Sequence, residues 1–288
     1  MQNENLVSNE PMTYGDINKG KLNKSQSQEI QWAIESRIEP RLVEKMAHSE
    51  FNEKQMRQIR YGYQNDLDES AVSIYSHPEF NYEQMEQIRL GLAYGLSRLD
   101  VIKYAKPEYD MSEMREIRYG LEYGLNSEQI KSYARQEFNE AQMRNIRWAL
   151  QDGLTNEQIA LFAKPEFISK QMREIRNGLE YGLSEDQIKL YAKTCFTYEQ
   201  MEQIRLGLEF GLGKRVMIYA KPEFSVKQMR EIRYGLEFGL TDEQVQTYAR
   251  PEIKWKHMRE DCQDMQYEKL YGEDYIKSRG KKIWKKKN

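Results

Sequence analysis

EFNYEQMEQIRLGLAYGL, residues 79–96, is written again as EYDMSEMREIRYGLEYGL at 108–125, as EFNEAQMRNIRWALQDGL at 137–154, and in four further versions. One anchor residue opens each unit: Phe51, Phe80, Tyr109, Phe138, Phe167, Phe196, Phe224 and Ile253, at spacings of 29 five times, then 28, then 29. Self-similarity at a period of 20 to 50 residues is the mark of a repeat array, in which each unit buries its apolar face only against its neighbours. Residues 22–50 keep the register, with Ile30, Trp32 and Ile38 at the places of Ile59, Tyr61 and Leu67. Ala33 and Arg37 stand there where glycines recur later, so this is a degenerate first repeat.

Within a unit the pattern predicts two helices. Asn52, Asn81, Asp110, Asn139, Thr197 and Ser225 follow the anchors, and Gln55, Gln84, Glu113, Gln142, Gln200 and Gln228 come three residues later. That is the capping-box spacing, in which each side chain satisfies the other's backbone N–H. Ile168 departs from it, which predicts a helix starting at Ser169 or a poorer cap. Met85, Ile88 and Leu92 then fall on one helical stripe, and Gly95 and its equivalents at 124, 153, 182, 211 and 239 supply the left-handed stop. A shorter helix follows, capped by Asn126 with Gln129, Thr155 with Gln158, Ser184 with Gln187 and Thr241 with Gln244, and ended by Pro78, Pro107, Pro165, Pro222 or Pro251.

Helices this short are marginal alone, so the units must stack. The expected fold class is all-α: an alpha-solenoid of about eight 29-residue helical hairpins plus a partial C-terminal capping repeat. The expected layout is a flexible N-terminal tail at 1–21, the repeats at 22–252, capping helices at 253–276 and a basic tail at 277–288. After Ile253 the pattern decays, with Asp261 and Cys262 in place of Ile-Arg, which predicts a polar face without a neighbour. The units at 80 and 196 both read MEQIRL and both are followed by MREIRY, which reads either as a past duplication of a four-unit block or as coincidence within a tight consensus.

The 39% hydrophobic and 31% charged fractions suit a body with much surface per residue. No apolar run reaches membrane-spanning length, and the N-terminus has neither the basic start nor the apolar stretch of a secretory signal. Cys195 and Cys262 occupy different repeats and different positions, so no disulfide framework is expected and the cytoplasm is the expected compartment.

Residues that carry chemistry are sparse. His48, His77 and His257 lie far apart with no partner at metal-ligand spacing, and no nucleophile constellation or phosphate-binding loop appears. The expectation is a non-enzymatic protein with no metal and no cofactor. Gly62, Gly91, Gly120, Gly178, Gly207 and Gly235 recur inside the first helix at a cost of about 1 kcal/mol each, which predicts that another helix backbone comes close.

Arg60, Arg89, Arg118, Arg147, Arg176, Arg205 and Arg233, four after each Met, would form a ladder on stacking. They are readable as a grip for phosphate or carboxylate or as internal ties to Glu122, Glu180, Glu209 and Glu237 one turn on, or to Glu79, Glu108, Glu137, Glu166 and Glu223 before the anchors. The internal reading is preferred, because a residue repeated in an array maintains the array. Tyr94, Tyr123, Tyr181, Phe210 and Phe238, nine after Met, are expected in inter-repeat packing. Five after Met the residue changes, through Tyr61, Leu90, Tyr119, Trp148, Asn177, Leu206 and Tyr234; this variation reads either as stored partner specificity or as tolerance at a half-exposed edge.

Residues 253–288 carry eleven Lys and Arg against six Asp and Glu, a net of +5, which leaves −7 for residues 1–252 of a chain whose total is −2. An acidic array is a poor clamp for nucleic acid, so a protein partner is expected. Nucleic-acid binding through the arginine ladder and Lys281, Lys282, Lys285, Lys286 and Lys287 is the alternative.

The repeats at 51–252 resemble the roughly thirty-residue QMxxIRxGLxxGL units found in proteins of bacterial mobile elements and phages. The resemblance implies a helical-hairpin array in a bacterial or phage setting, and a role such as occupying a host defence factor. It differs from the longer tetratricopeptide unit.

Overall fold

Most of the long helices begin where a side chain can serve their first N–H groups. In the computed structural model, Asn52 Oδ1 accepts from the N–H groups of Lys54 and Gln55, while Gln55 Oε1 accepts from the Asn52 N–H at 2.9 Å. Asn81, Asp110, Thr197 and Ser225 repeat the exchange. The structure describes residues 22–272 except Ser49, together with Thr13, Gly15 and Ile17. Most of the expected tails, including residues 273–276 of the capping segment and the whole basic tail, lies outside the described residues.

All the regular structure among the described residues is helical, in two compact units, Met1–Glu140 and Ala141–Asn288. The first unit holds α1 (Lys24–Glu35), α2 (Pro40–Met46), α3 (Glu53–Gln64), α4 (Glu69–Val72), α5 (Tyr82–Ala93), α6 (Arg98–Ile102), α7 (Met111–Glu122) and α8 (Ser127–Tyr133). Helix α9 (Glu140–Gln151), but for its first residue, opens the second unit. There follow α10 (Asn156–Ile159), α11 (Ser169–Glu180), α12 (Glu185–Tyr191), α13 (Tyr198–Glu209), a 3-10 helix (Gly213–Ile218), α14 (Val226–Glu237), α15 (Asp242–Tyr248) and α16 (Trp255–Tyr271). In the first unit α1, α3, α5 and α7 pack in succession; in the second, α11, α13, α14 and α16 do so. Met56, Met85, Met114, Met143, Met172, Met201, Met229 and Met258 are fully buried, each removing roughly 1.5–3 kcal/mol worth of apolar surface from water.

The capping glutamines do a second job that the sequence reading missed. Gln55 Nε2 donates to the Phe80 carbonyl at 2.7 Å, and Gln84, Gln142, Gln171, Gln200 and Gln228 donate to the anchor carbonyls of Tyr109, Phe167, Phe196, Phe224 and Ile253. One amide therefore starts its own helix and staples the next repeat to it.

The recurrent glycines also have a different cause from the one expected. The atoms nearest to them belong to side chains, first of all a tyrosine hydroxyl. Cβ atoms built on Gly62, Gly91, Gly120, Gly178, Gly207 and Gly235 would meet the hydroxyls of Tyr75, Tyr104, Tyr133, Tyr191, Tyr219 and Tyr248 at 1.9 to 2.1 Å. In five of these pairs the hydroxyl donates to the carbonyl four residues before the glycine: Gln58, Gln87, Glu116, Glu174 and Gln203. The missing side chain opens the path to that carbonyl.

Four other local departures have plain reasons. Ile168 offers no oxygen, so α11 starts at Ser169 with only the Gln171 half of the box, a 3.0 Å bond from the Ile168 N–H. At Gly213–Ile218 the repeat is one residue short and lacks a capping Ser, Thr or Asn, and the chain tightens into the 3-10 helix. Arg37 and Asp66 take the left-handed conformation that glycine takes in later repeats, at φ 59° and 60°. Helix α16 has Glu268 at the glycine register and runs on for 17 residues, and Cys262 is buried beside Gly235 rather than exposed.

Candidate functional site

The arginine ladder runs beneath the surface. Arg60, Arg89, Arg118, Arg147, Arg205 and Arg233 are buried, and Arg176 nearly so. Arg60, Arg118, Arg205 and Arg233 are held at both ends of the guanidinium. Arg89 Nε donates to Gln58 Oε1 of the preceding repeat at 3.0 Å; Arg60 donates to Glu29, Arg118 to Gln87, Arg205 to Glu174 and Arg233 to Gln203 in the same way. Forward, Nη1 reaches the residue one turn on: Gln64, Glu122, Gln151, Glu209 and Glu237 from Arg60, Arg118, Arg147, Arg205 and Arg233. The expected i,i+4 ties are present, including Arg176 with Glu180 at 3.2 Å. The glutamates before the anchors do not serve the ladder; Glu137, for one, pairs with Arg135. The backward acceptors two after Met are the residues the sequence reading overlooked. Their signal was a position that is always Gln, Glu or Asn.

One rung is broken. Asn145 stands in that acceptor place, one methylene shorter; Asn145 Oδ1 is buried without a hydrogen-bond partner, and Arg176 Nε, 3.2 Å from Glu180 Oε1, is too poorly aligned with it to make a hydrogen bond. Burial also raises the Glu180 carboxyl above its ordinary range; Arg176 pulls it back down, and the nearby Asp152 carboxylate adds to the rise.

Above the guanidinium groups lie the varying residues. Arg60 sits 4.6 Å from the Tyr61 ring, Arg118 4.6 Å from Tyr119, Arg176 5.0 Å from Trp148 and Arg233 4.7 Å from Tyr234. Such contacts hold each ring in place by about 0.5–2 kcal/mol. Tyr61, Trp148 and Tyr234 are exposed, whereas Leu90, Tyr119, Asn177 and Leu206 are half-buried.

The residues nine after Met correct an expectation. Tyr94, Tyr123, Tyr181, Phe210 and Phe238 are exposed, not packed between repeats. They are the last residues before each positive-φ glycine, at the end of the helix. Positions five and nine after Met are four apart and share one side of the helix. Each unit thus carries its own aromatic strip: Tyr61, Tyr94, Tyr119 and Tyr123 in the first; Trp148, Tyr181, Phe210, Tyr234 and Phe238 in the second.

The His77 ring meets the Phe80 ring edge-on, and both cysteines are free thiols. No group of three His, Cys, Asp or Glu side chains among the described residues is placed to hold a metal ion, and no helix among them is long and apolar enough to cross a membrane. Lys281, Lys282, Lys285, Lys286 and Lys287 lie outside the described residues. Comparison with protein families, curated proteins and solved structures gave no match.

Proposed function

We propose that the chain is a non-enzymatic helical-repeat scaffold, an alpha-solenoid of stacked hairpins, that binds a protein partner along its aromatic strip. The observation that carries this reading is the exposure of large aromatic side chains, Trp148 at 41% and Tyr181 at 72% among them, on the same side of successive long helices. Tyrosine and tryptophan supply contact area at low entropy cost and dominate the energetics of protein interfaces. The buried arginines beneath them fix the rings before any partner arrives, which lowers the ordering cost of binding. A ladder of buried guanidinium groups tied to carboxylates and amides is, by contrast, a poor grip for phosphate. The setting that the repeat resemblance implies is a bacterial or phage cytoplasm, with a host defence protein as the factor occupied.

The test is capture of partners from a bacterial lysate, with and without nuclease, using the full chain and variants with Tyr181, Phe210 and Tyr234 changed to Ala. A discrete protein retained after nuclease and in moderate salt, and lost with the variants, is the expected result. Recovery of RNA or DNA that disappears in moderate salt overturns the reading.

A further inference from the structure

At the C-terminal end of α14 the molecule already shows how its strip takes a lysine. Lys269, in the last turn of α16, donates from Nζ to the Gly239 carbonyl at 2.6 Å and stands 5.8 Å from the centroid of the Phe238 ring. The ammonium fills the space above the glycine: a Cβ built on Gly239 would lie 3.0 Å from Nζ. Three features make this socket. The helix end presents a carbonyl without an intrahelical partner, the negative end of the macrodipole favours a cation, and the ring offers its face to the charge.

The same three features recur twice more in this unit with no lysine seated in them; at one of the two, the Tyr181 ring, the Arg205 guanidinium stands 5.9 Å from the centroid. Tyr181 precedes Gly182 at the end of α11, and Phe210 precedes Gly211 at the end of α13, with the glycines at φ 84° and 97°. Nothing lies within 4 Å of a Cβ built on either glycine, and neither carbonyl accepts a hydrogen bond among the described residues. Tyr181 and Phe210 are 72% and 61% exposed, against 37% for Phe238 beneath Lys269.

We infer that Tyr181–Gly182 and Phe210–Gly211 are lysine sockets, and that the partner segment taken by this strip is an extended peptide carrying a lysine at every third residue. This rests on the protein-binding reading above and names the chemistry of the partner. The spacing follows from packing: α11, α13 and α14 are consecutive neighbours, so their ends repeat at about 8–10 Å. A polyproline II segment returns to the same side every three residues, about 9 Å along its axis. The charge is complementary, because residues 1–252 carry a net −7 and a lysine-rich segment is cationic.

The probe is a fluorescein-labelled peptide of lysine–proline–proline triplets, read by anisotropy against the full chain, beside its acetyl-lysine and glutamate counterparts. The lysine peptide binds and the other two do not. Tyr181→Ala and Phe210→Ala each weaken binding about threefold. Lys269→Ala vacates a third socket and tightens binding about threefold, a gain that damage to the fold cannot produce. Equal binding of lysine and acetyl-lysine peptides, or an unchanged affinity in Lys269→Ala, overturns the inference. A retained protein partner that depends on Tyr234 but ignores the lysine peptide sinks this inference and leaves the binding-face reading standing. Self-association that is lost when residues 273–288 are removed, with no peptide binding, would assign the sockets to a second copy instead and overturn the inference.

Discussion

Two places in the second unit solve the same packing problem in opposite ways. At Gly178 the absent side chain makes room for the Tyr191 hydroxyl, which reaches the Glu174 carbonyl at 3.2 Å. One repeat earlier Ala149 holds the glycine position and Phe162 the tyrosine position, both fully buried. The methyl group of Ala149 takes the volume that the hydroxyl takes elsewhere. In the first unit the degenerate repeat shows the same pairing, Ala33 with Met46. The glycine of this repeat is therefore not a backbone requirement. It is half of a two-residue choice between methyl and hydroxyl, and the core accepts either but not both.

Breaking that choice is the largest effect expected. Gly178→Ala alone drives a Cβ to 2.1 Å from the Tyr191 hydroxyl, an overpacking that costs about 2–3 kcal/mol. Tyr191→Phe alone loses one buried hydrogen bond, about 1 kcal/mol. Together they recreate the Ala149–Phe162 pair, and the double variant should unfold in urea within about 1 kcal/mol of the parent, because contacting residues couple by up to about 3 kcal/mol. Strictly additive losses would show that the swap at 149 and 162 is coincidence.

A second departure in α9 has no such compensation. Asn145 shortens the acceptor side chain while Arg176 keeps its length, so Asn145 Oδ1 makes no hydrogen bond and Arg176 Nε keeps a misaligned ion pair to Glu180 in place of one. Buried polar atoms without partners cost about 1–3 kcal/mol. Asn145→Gln restores the residue found at Gln203 and at Gln87, and should raise stability by about 1–1.5 kcal/mol in the same denaturation measurement. It also gives up the bonds from Asn145 Nδ2 to the Ala141 and Ser169 carbonyls. A net loss of stability would mean that those local bonds outweigh the ladder.

These contrasts mark how far the sequence could be read. The capping boxes, the glycine stops and the i,i+4 arginine ties were legible because each is local: spacing of three or four residues decides them. What lay beyond reach was any bond between one helix and another. The reach of Gln55 to Phe80, of Arg89 to Gln58, and of Tyr75 to Gly62 spans 13 to 31 residues, and no single-helix periodicity encodes such contacts. Covariation inside the one chain would have found the last of these, since the lone alanine among the six glycines of 62 to 235 coincides with the lone phenylalanine among the tyrosines. The exposed row from Tyr94 to Phe238 was misplaced for another reason. The helical wheel puts those residues opposite the Met stripe, but not whether a second layer covers them.

The smallest of the expected effects turns on a staple that cannot close. Glu113 occupies the place of Gln55 and Gln84, and its carboxylate keeps the capping half of the role by accepting from the Asp110 N–H at 2.9 Å. An ionised carboxylate has no proton to offer the anchor carbonyl of Phe138, as the glutamine amides do at Phe80 and Tyr109. Burial pushes the Glu113 carboxyl above its ordinary value; the hydrogen bond that it accepts from the Asp110 N–H pulls it partly back, and the Asp110 carboxylate adds a smaller rise. A carboxyl whose pKa is higher folded than unfolded binds its proton more tightly in the native state, so its contribution is present at acid pH and is lost as pH rises through the carboxylate range. Glu113→Gln places a permanent donor there and should stabilise the first unit by about 0.5–1 kcal/mol at neutral pH. The gain should shrink on acidification, as the parent's carboxyl takes up its proton. Urea midpoints measured across the carboxylate range would settle it: a gain that does not vary with pH would show that the staple, not the charge, accounts for the whole difference.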